Sequence, residues 1–443
     1  MQPQSLPPGP RFKPVQTWRF LRDPTRFGLE ARARHGDPFT APLPVGQVVM
    51  TGKPEGLREI FSADPSVFEP LGGLPLGPVV GPRSMLLLGG ARHKRERKLL
   101  MPPFHGERMR AYGQTLRELA LRAAAGLRPG EGLRAQDLTQ DISLEAIIQI
   151  VFGVQEPARV RRFREEIVPA LETYTPLLMM AIPLRRSFGG VGPWARFQHH
   201  LARVNALLHE EMTNRRGHEA GHTDILSLLL SARDEDGQGM TDEELSDELR
   251  TLLLAGHETT AIGMAWALHY VHRQPETLAR LREELAALGP SPEPEALARL
   301  PYLGAVCDEA LRIHPVVPVV GRRTLAPFTL LGRELPVGTA VMASICLAHA
   351  SPELYPEPER FRPERFLERK YSPFEYLPFG GGARRCIGAA FAQYEMRVVL
   401  GSLLAAHRFS SPPHAADERP QRRNVTIGPR GGAPLVYEGP VPA

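Results

Sequence analysis

The stretch Phe379-Gly380-Gly381-Gly382-Ala383-Arg384-Arg385-Cys386-Ile387-Gly388 decides the fold of this 443-residue chain. A glycine-rich turn carries a single thiol to the start of a predicted helix, Ala389 to Ala406. A thiolate there gains from the helix dipole and from unpaired backbone N–H groups, so we expect Cys386 to stay ionised and bind a metal. The alternative is a strand-to-helix turn with a buried structural cysteine.

The donors around Cys386 limit the kind of metal site. Zinc or an iron–sulfur cluster needs further ligands, and no other Cys or His lies within ten residues of it. A haem iron needs only one protein thiolate. The neighbours suit that cofactor: Gly382 can adopt a positive φ, and Gly388 lets the helix lie against a flat macrocycle. Arg384 can pair with a haem propionate, and Phe379 can shield the sulfur from water.

The frame Phe-x-x-Gly-x-Arg-x-Cys-x-Gly resembles the cysteine loop of the cytochrome P-450 superfamily, and the motifs below extend the resemblance over nearly the whole chain. It implies a mainly α fold with a small β region. It also implies haem b with Cys386 as proximal thiolate, and O2 as co-substrate. We expect residues 1–14 to form a proline-rich tail and 15–443 a single domain, with its strands from about 40–52 and 316–345.

Local patterns predict the elements. A strand is expected at Gln47–Thr51, an irregular Pro- and Gly-rich loop at 64–90, a hairpin at Arg333–Val341 and a meander at 350–380. Helices are predicted at Asp23–His35, Pro54–Phe61, 107–127, 139–152, 158–182, 193–216, 223–233, 241–273, 275–288 and Leu300–Ile313. By the resemblance, haem lies between the 241–273 helix and the helix that follows Cys386.

The segment Ala255-Gly256-His257-Glu258-Thr259-Thr260 lies in the middle of the 241–273 helix. Gly256 weakens this helix, and the Thr259 hydroxyl could bond the carbonyl of Ala255, which would open a notch. By the resemblance, Glu258 and Thr259 form the acid–alcohol pair of oxygen activation: Thr259 donates a hydrogen bond to oxygen and Glu258 relays protons. The alternative is a polar patch on a surface helix.

Glu309-Ala310-Leu311-Arg312 places opposite charges three residues apart, which alone is most often a surface ion pair. Beside Pro363-Glu364-Arg365-Phe366 it resembles the superfamily's Glu-x-x-Arg motif with its meander arginine. The resemblance implies a buried network of Glu309, Arg312 and Arg365 that folds the side of the thiolate and retains haem.

His93 and Arg97 are four residues apart and could both reach a propionate. Arg322 resembles the family's third propionate ligand, although Arg323 beside it is a rival. The alternative for all of them is a solvated basic face.

Four apolar stretches are expected to meet the substrate: Phe68 to Leu88, Leu171 to Phe188, Ala255 to Ile262 and Val316 to Val320. Within them, the contact residues predicted are Phe68, Leu86, Leu178, Met179, Ala255, Val317 and Val319. A fatty acid, a terpenoid or a similar lipophilic molecule fits, but family membership does not fix the substrate.

The composition of the chain limits its expected binding partners and cellular compartment. The net charge of +5 is spread along the chain, which does not suit nucleic acid. Three cysteines indicate a reducing compartment, and an N-terminus without an apolar run predicts neither a signal peptide nor a membrane anchor. We expect a cytoplasmic monomer.

No dinucleotide or phosphate-loop motif occurs, so electrons are expected from a separate ferredoxin with its reductase, or from a flavodoxin. An acidic donor would meet Arg95, Lys98, Arg385 and Arg397. Two other functions remain open: a peroxide-driven haem-thiolate peroxygenase or isomerase, and a non-enzymatic haem gas sensor. Glu258 and Thr259 count against the former, and the absence of an appended signalling segment counts against the latter.

Overall fold

The computed structural model describes residues 6–71, 73–104, 107–180, 182–187, 189–219, 221–289, 291–414 and 416–442. The helices are α1 Lys13–Arg22, α2 Pro24–His35, α3 Pro54–Ser62, α4 Gly73–Val80, α5 Gly90–Leu100, α6 Glu107–Ala125, α7 Ala135–Ala146, α8 Pro157–Thr173, α9 Pro176–Met180, α10 Pro193–Arg215, α11 Ile225–Ser231, α12 Asp242–Arg273, α13 Pro275–Ala286, α14 Pro294–Arg299, α15 Pro301–Ile313, α16 Ile345–His349, α17 Arg365–Glu368 and α18 Ala389–Ala406. The strands are β1 Phe39–Leu43, β2 Gly46–Thr51, β3 Phe68–Pro70, β4 Gly132–Arg134, β5 Val319–Thr324, β6 Phe328–Leu330, β7 Arg333–Leu335, β8 Ala340–Ser344, β9 His407–Ser410, β10 Pro420–Arg422, β11 Ile427–Pro429 and β12 Pro434–Pro440.

The longest helix among the described residues is α12, with 32 residues. Its N-terminus carries a complete capping box, in which Thr241 and Glu244 bond each other's backbone N–H. At ~1.5 Å per residue it is about 48 Å long, enough to cross the molecule. It packs on α7, α15 and α18, so the predicted 241–273 helix is confirmed and lies beside the helix that follows Cys386.

The largest sheet among the described residues joins distant parts of the chain in the order β1-β2-β8-β5-β3. Only the β2–β8 pair is parallel. Smaller sheets are β4-β12-β9, β6-β7 and β10-β11. The expected mainly α fold with a small β region drawn from both ends of the sequence is therefore confirmed.

The hairpin predicted at Arg333–Val341 is wrong. Strand β7 pairs with β6 around Leu331 and Gly332, which both have positive φ, 48° and 75°. This backbone gives the twist that a two-residue hairpin needs. Strand β8 instead pairs with β5 and with the parallel β2, because its residues are buried on both faces.

The irregular loop predicted at 64–90 is also partly wrong. It contains strand β3, which pairs with β5, and helix α4, which packs against α12. The segment 71–79 is rich in Gly and Pro, which hides a helix that depends on tertiary packing. Residue 72 lies outside the described residues.

Other boundaries moved by a few residues. The predicted 158–182 helix is interrupted at Tyr174 and Thr175, between α8 and α9, and residue 181 lies outside the described residues. The predicted 139–152 helix starts earlier, at Ala135, and ends in a π turn at Ile147–Val151. The expected 1–14 tail gives way to α1 at Lys13, and its first five residues are not described. Across the described residues, no helix is both long and apolar enough to span a bilayer.

Candidate functional site

The cysteine loop is held by backbone contacts. The N–H of Cys386 donates to the carbonyl of Phe379 at 2.9 Å, which closes the turn before α18. Gly382 has φ +66°, and a Cβ there would lie 2.0 Å from the carbonyl oxygen of Phe61. Only glycine fits this position, because the backbone is left-handed and another chain segment is in contact.

The thiol of Cys386 is exposed, whereas Cys307 and Cys346 are buried. Burial of the surrounding loop raises the pKa of Cys386, against the N–H of Gly388 and the charges of Arg385 and Arg97, which lower it. The N–H of Gly388 and these two charges favour the thiolate and desolvation opposes it, so the ionised state expected of Cys386 as a metal ligand stays a prediction.

Basic side chains from three elements converge near this thiol. His93 and Arg97 come from α5, Arg322 from β5 and Arg384 from the cysteine loop. Burial and the charges of these three arginines lower the pKa of His93 to about 4. Burial and Arg384 lower the pKa of Arg322 to about 10. Among the described residues, none of the four has a carboxylate within 4.0 Å.

The donors present fit a haem. Four mutually repelling basic groups without a carboxylate suit an anionic ligand, and the two propionates of haem are such groups. A Cβ built on Gly388 would meet no protein atom within 4 Å, so α18 presents a flat start beside the exposed thiol. No group of three or more His, Cys, Asp or Glu side chains in the described part of the chain is placed to hold a metal. Arg384 also donates to the carbonyl of Leu88.

The notch in α12 has the expected local geometry. Thr259 Oγ1 donates to the carbonyl of Ala255 at 2.5 Å. Ala255 is exposed, although Leu253 before it and Thr260 after it are buried. A Cβ on Gly256 would lie 2.7 Å from Ile147 Cδ1, so glycine lets α12 pass close to the π turn after α7. Ala255 and Thr259 therefore lie one helical turn apart at this notch, and Ala255 is not covered by other protein atoms.

Glu258 has partners that the sequence did not reveal. Thr426 Oγ1 donates to Glu258 Oε2 at 3.2 Å. Burial raises the pKa of Glu258, and the Arg423 charge and the Thr426 hydrogen bond oppose that rise. Both partners lie in the turn between β10 and β11. Thr426 is 168 positions from Glu258 in the sequence, so no local motif could have predicted this contact.

The structure brings some of the predicted substrate residues together. Leu178 and Met179 join an apolar cluster with residues that sequence reasoning missed, and Leu254, next to Ala255, packs against it. The other members named for this cluster are Val79, Tyr174, Phe197, Leu76, Trp194, Leu201 and Val425. The cluster therefore joins α4, α9, α10, α12 and the β10–β11 turn.

The remaining predicted contact residues are more scattered. Phe68 packs its ring on Phe328, 4.8 Å between centroids, at the edge of the large sheet. Leu86 is exposed in the segment before α5, and Val317 and Val319 are half-buried. The side chains of residues 73–75, 176 and 180 and all of residues 72, 181 and 188, which fall in the predicted stretches, lie outside the described residues.

The charged network at the end of α15 is buried. Arg312 donates to both oxygens of Glu309 at 2.8 Å, and Arg365 Nε donates to Glu309 Oε1 at 3.0 Å. All three side chains are at most 2% exposed. The surface ion pair considered from the sequence is therefore excluded.

The four cations expected to meet an electron donor are not equally free. Arg95 bonds Asp234 and Glu96, Lys98 pairs with Glu235, and Arg397 donates to the carbonyl of Ala298. Arg385 is exposed. Arg95 and Arg397 thus make internal contacts, and their assignment as donor-facing charges stays a prediction.

With this geometry in place, the chain can be compared with known proteins. The family model described as Cytochrome P450 matches residues 3–434. The chain belongs to the cytochrome P450 family. It is therefore a haem-thiolate monooxygenase that binds haem b and uses O2.

Relatives and a solved structure agree with this assignment. The chain is 37% identical over 435 residues to a Mycobacterium tuberculosis protein named cytochrome P450 135B1, covering 97% of this chain and 90% of the relative. It is 35% identical to cytochrome P450 135A1 of the same species, covering 97% and 94%. The cyanobacterial CYP120A1 with bound retinoic acid shares the fold at TM-score 0.85 and 24% identity, covering 99% of this chain and all of that one.

Proposed function

We propose that this cytochrome P450 inserts one oxygen atom of O2 into a lipophilic small molecule, with Cys386 as the axial ligand of the iron. The balance is R–H + O2 + 2 e⁻ + 2 H⁺ → R–OH + H2O, or the corresponding epoxidation of an alkene. The observation that carries the proposal is the exposed Cys386 at the start of α18, beside four basic groups, with α18 packed on α12.

The bound haem supplies oxygen activation, and the chain supplies its placement and its protons. His93, Arg97, Arg322 and Arg384 would hold the propionates by charge-assisted hydrogen bonds. The Thr259 hydroxyl, which here donates to the carbonyl of Ala255, would donate a hydrogen bond towards O2 instead, and Glu258 would supply the proton that this hydroxyl passes on. Phe379, Gly382 and Gly388 shape the loop and its dry surroundings.

Replacement of the three cysteines tests the axial ligand. Cys386→Ser should lose the long-wavelength absorption band of the reduced carbonyl adduct that marks thiolate ligation. Cys307→Ser and Cys346→Ser are matched controls and should keep it, because both side chains are buried elsewhere in the fold. Retention of that band by Cys386→Ser would remove the basis of the proposal.

The apolar cluster around Leu178 supports a hydrophobic substrate such as a fatty acid or a terpenoid. It is lined by aliphatic and aromatic side chains from five elements, and Leu254 links it to the exposed Ala255 on α12. The structural neighbour carries retinoic acid, an isoprenoid acid, so that class enters the first panel. Ligands are screened by the change of the haem spectrum when the sixth ligand is displaced.

A variant within the cluster tests whether the ligands found in this screen bind there. Leu254→Trp adds bulk between the cluster and α12, so it should weaken every hit. Leu133→Trp, on strand β4, is a control that should leave the affinities unchanged. Equal affinities in both variants would place the substrate elsewhere.

We further propose that electrons come from an acidic ferredoxin or flavodoxin that docks beside the cysteine loop. Arg385 in the cysteine loop and Lys94 on α5 are exposed, whereas Arg95 is held by internal contacts. Because such attraction is screened over ~8 Å at physiological salt, stopped-flow reduction should slow as salt rises.

Charge reversal locates the docking surface. Arg385→Glu and Lys94→Glu should each weaken the apparent affinity for the donor without altering substrate binding. Arg408→Glu is the control, because α18 has 18 residues and carries the chain about 27 Å away from Cys386 before Arg408. A reduction rate that ignores salt and both reversals would exclude this docking mode. Comparing turnover with peroxide alone separates the monooxygenase from a peroxygenase.

A further inference from the structure

The turn between β10 and β11 contacts Glu258 with two different side chains. Thr426 is buried and donates its hydroxyl to the Glu258 carboxylate at 3.2 Å. Arg423 acts on the same carboxylate through its charge, and burial lowers the pKa of Arg423 itself while Glu258 raises it. Among the described residues, Arg423 and Glu258 form no direct ion pair within 4.0 Å. Thr426 therefore fixes the orientation of the carboxylate, and Arg423 favours its charged form.

Arg423 also interacts electrostatically with exposed charged side chains. Its next neighbours by charge are Arg134 and Asp137 at the start of α7. Those two side chains are 48% and 56% exposed. The side chain of Arg423 also lies beside α12, because a Cβ built on Gly428 would be 3.3 Å from Ile262 Cγ1 and 3.5 Å from Arg423 Nε.

The turn itself is anchored at both ends and at its tip. Arg422 Nε donates to the carbonyl of Leu21 at 3.1 Å, and the N–H of Ile427 donates to the carbonyl of Val316 at 2.9 Å. Val425, between Arg423 and Thr426, packs on the apolar cluster around Leu178. One rigid turn therefore contacts both Glu258 and the region proposed to hold the substrate.

We propose that Arg423 and Thr426 are positioning residues that hold Glu258 for proton delivery. The inference rests on the proposed role of Glu258. The proton balance closes on the side chain: Glu258 releases a proton towards the Thr259 hydroxyl and takes one back from solvent water, while Arg423 stays protonated throughout.

The test uses the full-length, haem-loaded protein and pairs of variants. Thr426→Val removes the hydroxyl at nearly constant volume, and Thr426→Ser keeps it. Arg423→Met removes the charge, and Arg423→Lys retains it. Arg422→Met is the matched control, because Arg422 is in the same turn but lies over the ring of Phe20 at 5.4 Å.

The first readout does not involve turnover. Infrared pH titration of the resting ferric protein follows the carbonyl stretch of the protonated Glu258, which is assigned by its loss in Glu258→Gln. Thr426→Val and Arg423→Met each remove an interaction that favours the charged carboxylate, so each should move the titration midpoint upward. Thr426→Ser, Arg423→Lys and Arg422→Met should keep the midpoint of the wild type.

The second readout is product formed per electron pair, with its solvent isotope effect. It should fall several-fold in Thr426→Val and Arg423→Met and recover in the conservative variants, and the isotope effect should rise as proton delivery becomes slower. If Glu258→Gln leaves coupling unchanged, the proposed role of Glu258 fails, and this inference fails with it. If Glu258→Gln uncouples while Thr426→Val and Arg423→Met match the wild type in both readouts, only the inference is overturned.

Discussion

Replacing Glu309 with Gln should be among the most destabilising single changes of a polar group in this protein. The Glu309 carboxylate accepts four N–H donors, from Arg312 Nε and Nη2, Arg365 Nε and the backbone of Arg362, at 2.8–3.0 Å. Glutamine presents an NH2 group to at least one of these donors and leaves two buried guanidinium groups without a counter-charge. The loss is about 3–5 kcal/mol, which multiplies the unfolding constant roughly 100- to 5,000-fold.

The measurement is urea unfolding of the haem-loaded protein, followed by circular dichroism and by the fluorescence of tryptophan, including the fully buried Trp266. The matched control is Glu357→Gln in the same meander. Its pairing with Arg360, at 3.7 Å, is between side chains that are more than 60% exposed, so its loss should cost no more than about 1 kcal/mol. Equal midpoints for the two variants would refute the view that the buried network stabilises this side of the fold.

Three further predictions follow from individual side chains. Thr259→Ala should bind haem and substrate as the wild type does but divert electrons to peroxide, measured as peroxide formed per electron consumed; unchanged coupling would contradict the role of Thr259. Burial raises the pKa of Glu395 to about 8, so its folded form holds a proton that the unfolded chain releases above about 4.5. Stability should therefore fall as the pH rises from about 4.5 to about 8, and Glu395→Gln should flatten that fall by a few kcal/mol in urea titrations at several pH values. Arg322→Met should stabilise the haem-free chain, where Arg384 repels Arg322, and should speed haem loss from the loaded protein; slower haem loss would contradict the propionate assignment.

The elements that the sequence predicted well carry their signals locally. Helix α12 begins at the capping box of Thr241 and Glu244 and ends just before Pro275, so its bounds could be predicted within one residue. Helix α18 starts directly after Gly388, as predicted, although no side chain caps its N-terminus. Strand pairing is not local in this way. Pro336-Val337-Gly338 does form a turn, but the N–H of Gly338 donates to Thr324 on β5, so the strands on its two sides belong to different sheets.

In the candidate site, too, features that depend on short sequence patterns were predicted and features that depend on contacts between distant segments were not. The frame of Cys386 and the spacing of Glu309 and Arg312 are short patterns, and the structure gives them the expected surroundings. His349, which carried no predicted role, is buried and accepts the N–H of Leu377 at 3.1 Å, so it ties α16 to the meander. Such a role depends on a contact between segments 28 residues apart, and a histidine within an ordinary Ala-His-Ala segment gives no sign of it.

The basic groups near Cys386 lower the stability of the haem-free protein, and the same groups are proposed to bind the haem propionates. A protein that used His93, Arg322 and Arg384 only to fold would pair them with carboxylates, as it does for Arg312 and Arg365. Instead their burial and mutual repulsion lower the pKa of His93 to about 4. Because an unpaired buried charge destabilises the folded state, such a cluster is maintained only where an anion compensates it. Carboxylates were available to this chain within a few residues, since Glu96 lies between His93 and Arg97 but bonds Arg95 instead. The arrangement therefore fits the proposed binding of a dianionic cofactor, and we expect the propionates to supply the stability that the chain alone lacks.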